Sequence, residues 1–80
     1  MKTVYKKQYF DVIETIVKGQ KTKFYDIINN KFQQIGKIKW QGSFRKYAFF
    51  PAADTVWDNK CLEEVLDVLN DINKKYREGE

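Results

Sequence analysis

Apolar and polar residues alternate most regularly between positions 36 and 51. A period of two is the signature of a strand with one buried face. Two such runs meet at Gly42-Ser43, and a glycine in the first central position of a two-residue loop favours a type II′ turn. That turn pairs Gln41 with Phe44, Trp40 with Arg45, Lys39 with Lys46, Ile38 with Tyr47 and Lys37 with Ala48. One face of the hairpin then carries Ile38, Trp40, Arg45, Tyr47 and Phe49, the natural core face. The other carries Ile35, Lys37, Lys39, Phe44, Lys46 and Ala48. A one-residue slip of either arm would mix charge into the core; a three-residue loop over residues 41–43 also fits. Arg45, opposite Trp40, either stands over the indole, which is worth about 0.5–1 kcal/mol at an exposed site, or covers the core rim with its stem.

After Asp58 the period lengthens. Leu62, Val65, Leu66, Leu69, Ile72 and Tyr76 recur at spacings of three and four, which predicts an amphipathic helix. Asp58 has the chemistry of its N-cap. Trp57 and Leu62 stand at the spacing of a hydrophobic staple. Glu63 and Glu64 lie near the positive end of the helix dipole, and Lys74, Lys75 and Arg77 near the negative end. Upstream the pattern is less decisive. Tyr9, Val12, Ile13, Ile16 and Val17 fit a helical stripe, but Val12, Ile13, Thr15, Ile16 and Val17 are β-branched and favour a strand. Residues 9–18 are read as a strand, with a helix as the alternative. Residues 22–28 read as another strand, and Asn29-Asn30-Lys31 as turn chemistry. Pro51, without an amide proton, suits a strand end. The expected fold is α+β: a small antiparallel sheet of three to four strands, with the C-terminal helix packed on one face.

Eighty residues imply one domain, residues 1–80. Six Phe, five Tyr and two Trp supply a compact core. No apolar run is long enough to span a membrane, and the N-terminal residues lack the apolar centre of a signal peptide. A single cysteine, Cys61, forms no internal disulfide, so a reducing cytoplasm is the expected location. Without any histidine, no Ser-His-Asp or Cys-His set is possible. No phosphate-binding glycine loop and no metal-ligand set is visible either. The chain is therefore expected to be no enzyme, with no catalytic, cofactor-binding or metal-binding residues and no small-molecule substrate. Cys61 near the helix start could carry a lowered pKa, although a half-buried packing role fits it better. Glu63 and Asp67, one helical turn apart, read as surface charges.

The net charge of +4 is unevenly spread. Residues 1–50 hold eleven Lys/Arg against three Asp/Glu, and residues 51–80 hold four against eight. Such asymmetry steers anionic partners to one side.

Three clusters stand out together: Gly36-x-Ile38-Lys39-Trp40, Phe44-Arg45-x-Tyr47-x-Phe49-Phe50-Pro51 and Thr55-x-x-Asp58-x-x-Cys61-Leu62. This pattern, over about residues 35–70, resembles a group of small uncharacterised proteins of bacteria and their phages, whose members often carry Trp where this chain has Phe44. The resemblance implies a strand-strand-helix order and no mechanism. A three-stranded sheet followed by a helix is also similar in layout to the DNA-binding domains of plant ethylene-response factors and to the arm-binding domains of some phage integrases, whose motifs are absent here.

The leading functional expectation is a nucleic-acid-binding module acting through the basic and aromatic face of the sheet. Lys37, Lys39 and Lys46 would contact phosphate, Phe44 would stack on or wedge between bases, and Arg45 would reach in from the rim. Lys21, Lys23 and Lys31 would extend the track. The pattern does not separate duplex from single strand, or DNA from RNA. A plainer reading is that these lysines solubilise an open sheet and guard its edges. The alternative is a protein-interaction or inhibitor module of phage or mobile-element type, docking through Phe44 and Phe50, through an edge strand, through the acidic helix face of Glu63, Glu64, Asp67 and Asp71, or as a homodimer.

Overall fold

The computed structural model describes residues 2–79. Five strands form one antiparallel meander in the order β1-β2-β3-β4-β5: β1 (Lys2–Lys6), β2 (Asp11–Ile16), β3 (Lys23–Ile28), β4 (Gln34–Gln41) and β5 (Lys46–Pro51). A single helix, α1 (Asn59–Arg77), follows and lies across one face. The α+β class and the C-terminal helix agree with the sequence reading, but the sheet has five strands rather than three or four. The additional strand is β1. Its sequence, KTVYK, is short and flanked by lysines, so it shows little period-two signal. A bulge between Thr3 and Tyr5 interrupts its pairing with β2; bulges and charged ends are common guards of an edge strand. Of residues 9–18, Asp11–Ile16 form the strand β2, in keeping with their β-branched content.

The β4–β5 hairpin keeps the faces expected of it but not the register. Trp40 pairs with Tyr47, Ile38 with Phe49 and Gln41 with Lys46. The connection is a four-residue loop, in which the Phe44 N–H donates to Gln41 O and the Arg45 N–H to Gly42 O. The left-handed residue is Arg45 (φ 54°), not Gly42. Four-residue loops built on such turns are a normal hairpin solution. The two-residue turn would have placed Arg45 beside Trp40 under the helix. The longer loop expels both Arg45 and Phe44 to the surface, and seats Tyr47 against Trp40 with ring centroids 5.5 Å apart. Because the register moves by two, every other residue keeps its face. Ile35 is the exception: it sits at the bulge between the Ile27 and Ile28 pairings and packs against the core.

The core comprises Phe10, Val12, Tyr25, Ile27, Ile38, Tyr47, Val65, Val68 and Ile72. The helical period holds, and Val65, Leu69, Ile72 and Tyr76 of the expected stripe lie on the packed side, with Val68 joining them. Val65, Val68 and Ile72 face the sheet, while Leu62 and Leu66 remain 46% and 54% exposed. Trp57 belongs to the packed side, whereas Leu62 does not. It packs edge-on against Phe49 at 4.9 Å and Phe10 at 6.4 Å. Its Nε1 donates to Thr55 Oγ1, which donates in turn to Ala52 O. Asp58 is the N-cap and accepts from the Cys61 N–H, which holds its carboxyl below the ordinary carboxylate range. The first helical turn contains no acidic side chain.

Two sets of polar contacts fix the helix across the sheet. On one flank the Tyr5 hydroxyl donates to Asp71, and Glu64 accepts from the backbone N–H groups of Gln8 and Tyr9. Burial, and then the Asp71 hydrogen bond, push the Tyr5 phenol far above its ordinary range. The same bond draws Asp71 down. On the other flank the Asn73 amide accepts from the Tyr47 N–H at 2.8 Å and donates to Tyr47 O at 3.1 Å. That side chain substitutes for a neighbouring strand along the outer edge of β5.

Candidate functional site

Strand alternation and the ladder registers decide which side chains share the uncovered face. Lys39 stands between Phe24 on β3 and Ala48 on β5, and Lys37 between Asp26 and Phe50. Lys46 is opposite Gln41 at the end of the hairpin. Lys37, Lys39 and Lys46 thus lie on one face, opposite the one that α1 covers. Ile13 and Thr15 continue this face onto β2, opposite Asp26 and Phe24.

The lysines and rings interlock diagonally. Lys37 Nζ lies 4.8 Å from the centroid of Phe24, and Lys39 Nζ 4.7 Å from that of Phe50. Lys37 is also 4.0 Å from Asp26 Oδ1, a carboxylate that accepts from the Gln34 side chain. Among the described residues Lys39, Arg45 and Lys46 form no ion pair. A shallow depression of about 260 Å³ opens at the hairpin end of this face, with Thr22, Phe24, Lys37 and Lys39 among its walls.

The other expected site residues are dispersed. Phe44, 63% exposed, and Arg45 occupy the β4–β5 loop, so they border the face at its end instead of standing in it. Arg45 does not pair with Trp40, whose ring meets Tyr47 and Tyr76. Lys23 shares the helix side with Tyr25 and bonds Glu14 at 3.3 Å. Lys31 lies in the β3–β4 turn at the opposite end. Lys23 thus borders the depression beside Lys37 and Lys39 with its ammonium committed to Glu14, and Lys31 is remote from it. Phe24 was missed as a site residue, although the signal was available. Once Tyr25 and Ile27 are taken as the buried positions of β3, Phe24 and Asp26 must point the other way.

Burial, reinforced by the Asp58 carboxylate, raises the Cys61 thiol pKa, opposite in direction to the lowering that its place near the helix start suggests. Among the described residues no cluster of His, Cys, Asp or Glu could hold a metal ion, and no helix is long and apolar enough to cross a membrane.

No family model matches the chain, and no solved structure matches it at a significant level. The chain is similar to an uncharacterized 9.3 kDa protein of Acholeplasma phage L2, with 25% identity over 72 residues, or 89% of this chain and 92% of the phage protein.

Proposed function

We propose that the protein is a non-enzymatic module that binds single-stranded nucleic acid on the uncovered face of its sheet, inside the cytoplasm. The observation that carries this reading is the placement of Lys37, Lys39 and Lys46 on one face with Phe24 and Phe50 between them. The ammonium groups stand over the two rings, so those rings are approachable from the open side. A cation over an exposed ring is worth about 0.5–1 kcal/mol, whereas a base stacked on an aromatic side chain is worth about 1–3 kcal/mol. Exchange of ammonium for base is therefore favourable, and it frees the lysine to reach the adjacent phosphate. Arg45 and Phe44 add a charge and a ring at the margin.

The test is an amide-shift titration of labelled protein with short single-stranded and duplex DNA, at low and at near-physiological salt. Shifts should centre on Phe24, Lys37, Lys39, Lys46 and Phe50, be larger for the single strand, and weaken steeply with salt. Unchanged affinity after Lys37→Glu and Lys39→Glu would dismiss this face as the reader.

A second reading, docking of a protein partner, is favoured by Leu62 and Leu66, exposed one turn apart. They share a helix flank with Asn73 and so adjoin the β5 edge. Light scattering that shows a dimer, abolished by Leu66→Glu, would support it.

A further inference from the structure

The helix side of the sheet contains a feature that the open face does not explain. In a meander alternate hairpins share an end, so the β2–β3 turn, the start of β1 and the β4–β5 loop lie together. The last turns of α1 reach the same end, where Tyr76 meets Trp40 and Lys75 stands over Tyr5. Between them is a cavity of about 240 Å³ lined by four lysines from separate elements, Lys2, Lys21, Lys23 and Lys75, and by one carboxylate, Glu14.

Only part of that charge is neutralised. Lys23 is bonded to Glu14 at 3.3 Å, and Lys75 to Asp71 at 3.3 Å. Lys2 and Lys21 form no ion pair among the described residues. The remaining wall is largely aromatic, with Tyr5, Tyr25, Tyr47 and Tyr76 contributing. Tyr47, 4% exposed, accepts from the Lys23 N–H at 3.1 Å and retains a hydroxyl proton to donate. The carbonyl end of α1 would oppose an anion here, but Lys74, Lys75 and Arg77 in its last turn offset that dipole.

The geometry points to a binding site for a phosphomonoester borne on a nucleoside. Ammonium groups supply charge without a fixed fork geometry, as suits a rotating phosphate. Rings on the walls accept the base or sugar. The volume lies just below the roughly 300–1,000 Å³ of drug-sized sites, which suits the seating of a single nucleotide. The ligand is either a free nucleoside monophosphate or the 5′-terminal nucleotide of a strand, which share this chemistry. The site lies across the sheet from Lys37 and Lys39 and stands or falls independently of the open face.

Labelled protein would be titrated with 5′-AMP, with adenosine, and with one short oligonucleotide with and without a 5′-phosphate. Amides of Tyr5, Lys21, Lys23 and Tyr76 should shift with 5′-AMP and not with adenosine. Lys2→Gln combined with Lys21→Gln changes two exposed side chains and should weaken 5′-AMP at least tenfold, with the shifts of Lys37 and Lys39 on adding unphosphorylated oligonucleotide unaltered. A larger response at these amides to the phosphorylated than to the plain oligonucleotide would extend the site to strand ends, and a response to 5′-AMP alone would confine it to free nucleotides. Equal responses to adenosine and 5′-AMP, an affinity indifferent to the double substitution, or no response at these amides to any phosphorylated probe would overturn the assignment.

Discussion

At the scale of single residues, Gly36 is the one glycine whose side-chain space is occupied by a neighbour. A Cβ built there would lie 2.7 Å from a ring carbon of Phe49, closer than two carbons tolerate. The Phe49 ring lies over the glycine backbone and continues to Trp57, so it cannot turn aside without disturbing a second aromatic. Gly36→Ala should therefore destabilise the fold by about 1–3 kcal/mol, the usual range for overpacking a fitted core. The check is a lower urea midpoint with an unchanged slope. Gly42→Ala is the control, because nothing lies within 4 Å of its Cβ position and its φ is not positive; it should leave the midpoint in place. The sequence suggests the opposite emphasis, since Gly42 sits in an obvious turn while Gly36 looks incidental. The need for Gly36 arises from a ring two residues along on the neighbouring strand, and no single-strand pattern carries that information.

At the scale of elements, the helix is held by its two flanks, and each makes a prediction. Asn73→Ala removes two hydrogen bonds to Tyr47 from a partly buried strand edge. At about 0.5–1.5 kcal/mol per bond, stability should fall by about 1–3 kcal/mol, and the Tyr47 amide should lose hydrogen-exchange protection before its neighbours do. On the other flank, Tyr5 holds Asp71 below its ordinary pKa of 3.8. A carboxyl lowered in the folded state contributes stability that is present above its unfolded pKa and disappears as pH falls through the folded value. A carboxyl-carbon titration should find Asp71 ionising below the ordinary value in the native protein, and returning toward it in Tyr5→Phe. These contacts also explain why part of the expected helical stripe misses the sheet. Apolar residues occupy positions 61, 62, 65, 66, 68, 69, 72 and 76, so a stripe that includes Leu62 and Leu66 and one that includes Val68 both satisfy the helical period. Asn73 and Asp71 pull opposite flanks down onto the sheet edges and put Val68 in the middle. Both are polar and invisible to a hydrophobic pattern. The hairpin failed in the same partial way. Alternation set its faces and survived, while loop length, which depends on whether an arginine is tolerated beneath a helix, did not.

At the scale of the whole molecule, the charge asymmetry along the sequence becomes an asymmetry along the body. One end carries Lys2, Lys18, Lys21, Lys23, Arg45 and Lys46 on the strands and turns, with Lys74, Lys75 and Arg77 at the close of α1, against only Glu14, Asp71 and Glu78 among the described residues. The other mixes Lys6, Lys7, Lys31 and Lys60 with Asp11, Asp54, Asp58, Glu63 and Glu64. The longest extent is 31 Å, several times the Debye length of about 8 Å at physiological salt, so the two ends act on a ligand separately. This makes salt dependence diagnostic of where a strand lies. Each phosphate neutralised adds about 0.7 to the slope of log affinity against log salt for single strands. If Lys37 and Lys39 each hold one phosphate, Lys37→Gln with Lys39→Gln should flatten that slope by about 1.4. Lys60→Gln, at the start of the helix and remote from that face, changes the net charge but should leave the slope as it was. Equal flattening by Lys60→Gln would mean that the strand responds to the overall field of a basic protein, and that the lysines of the open face hold no phosphate of their own.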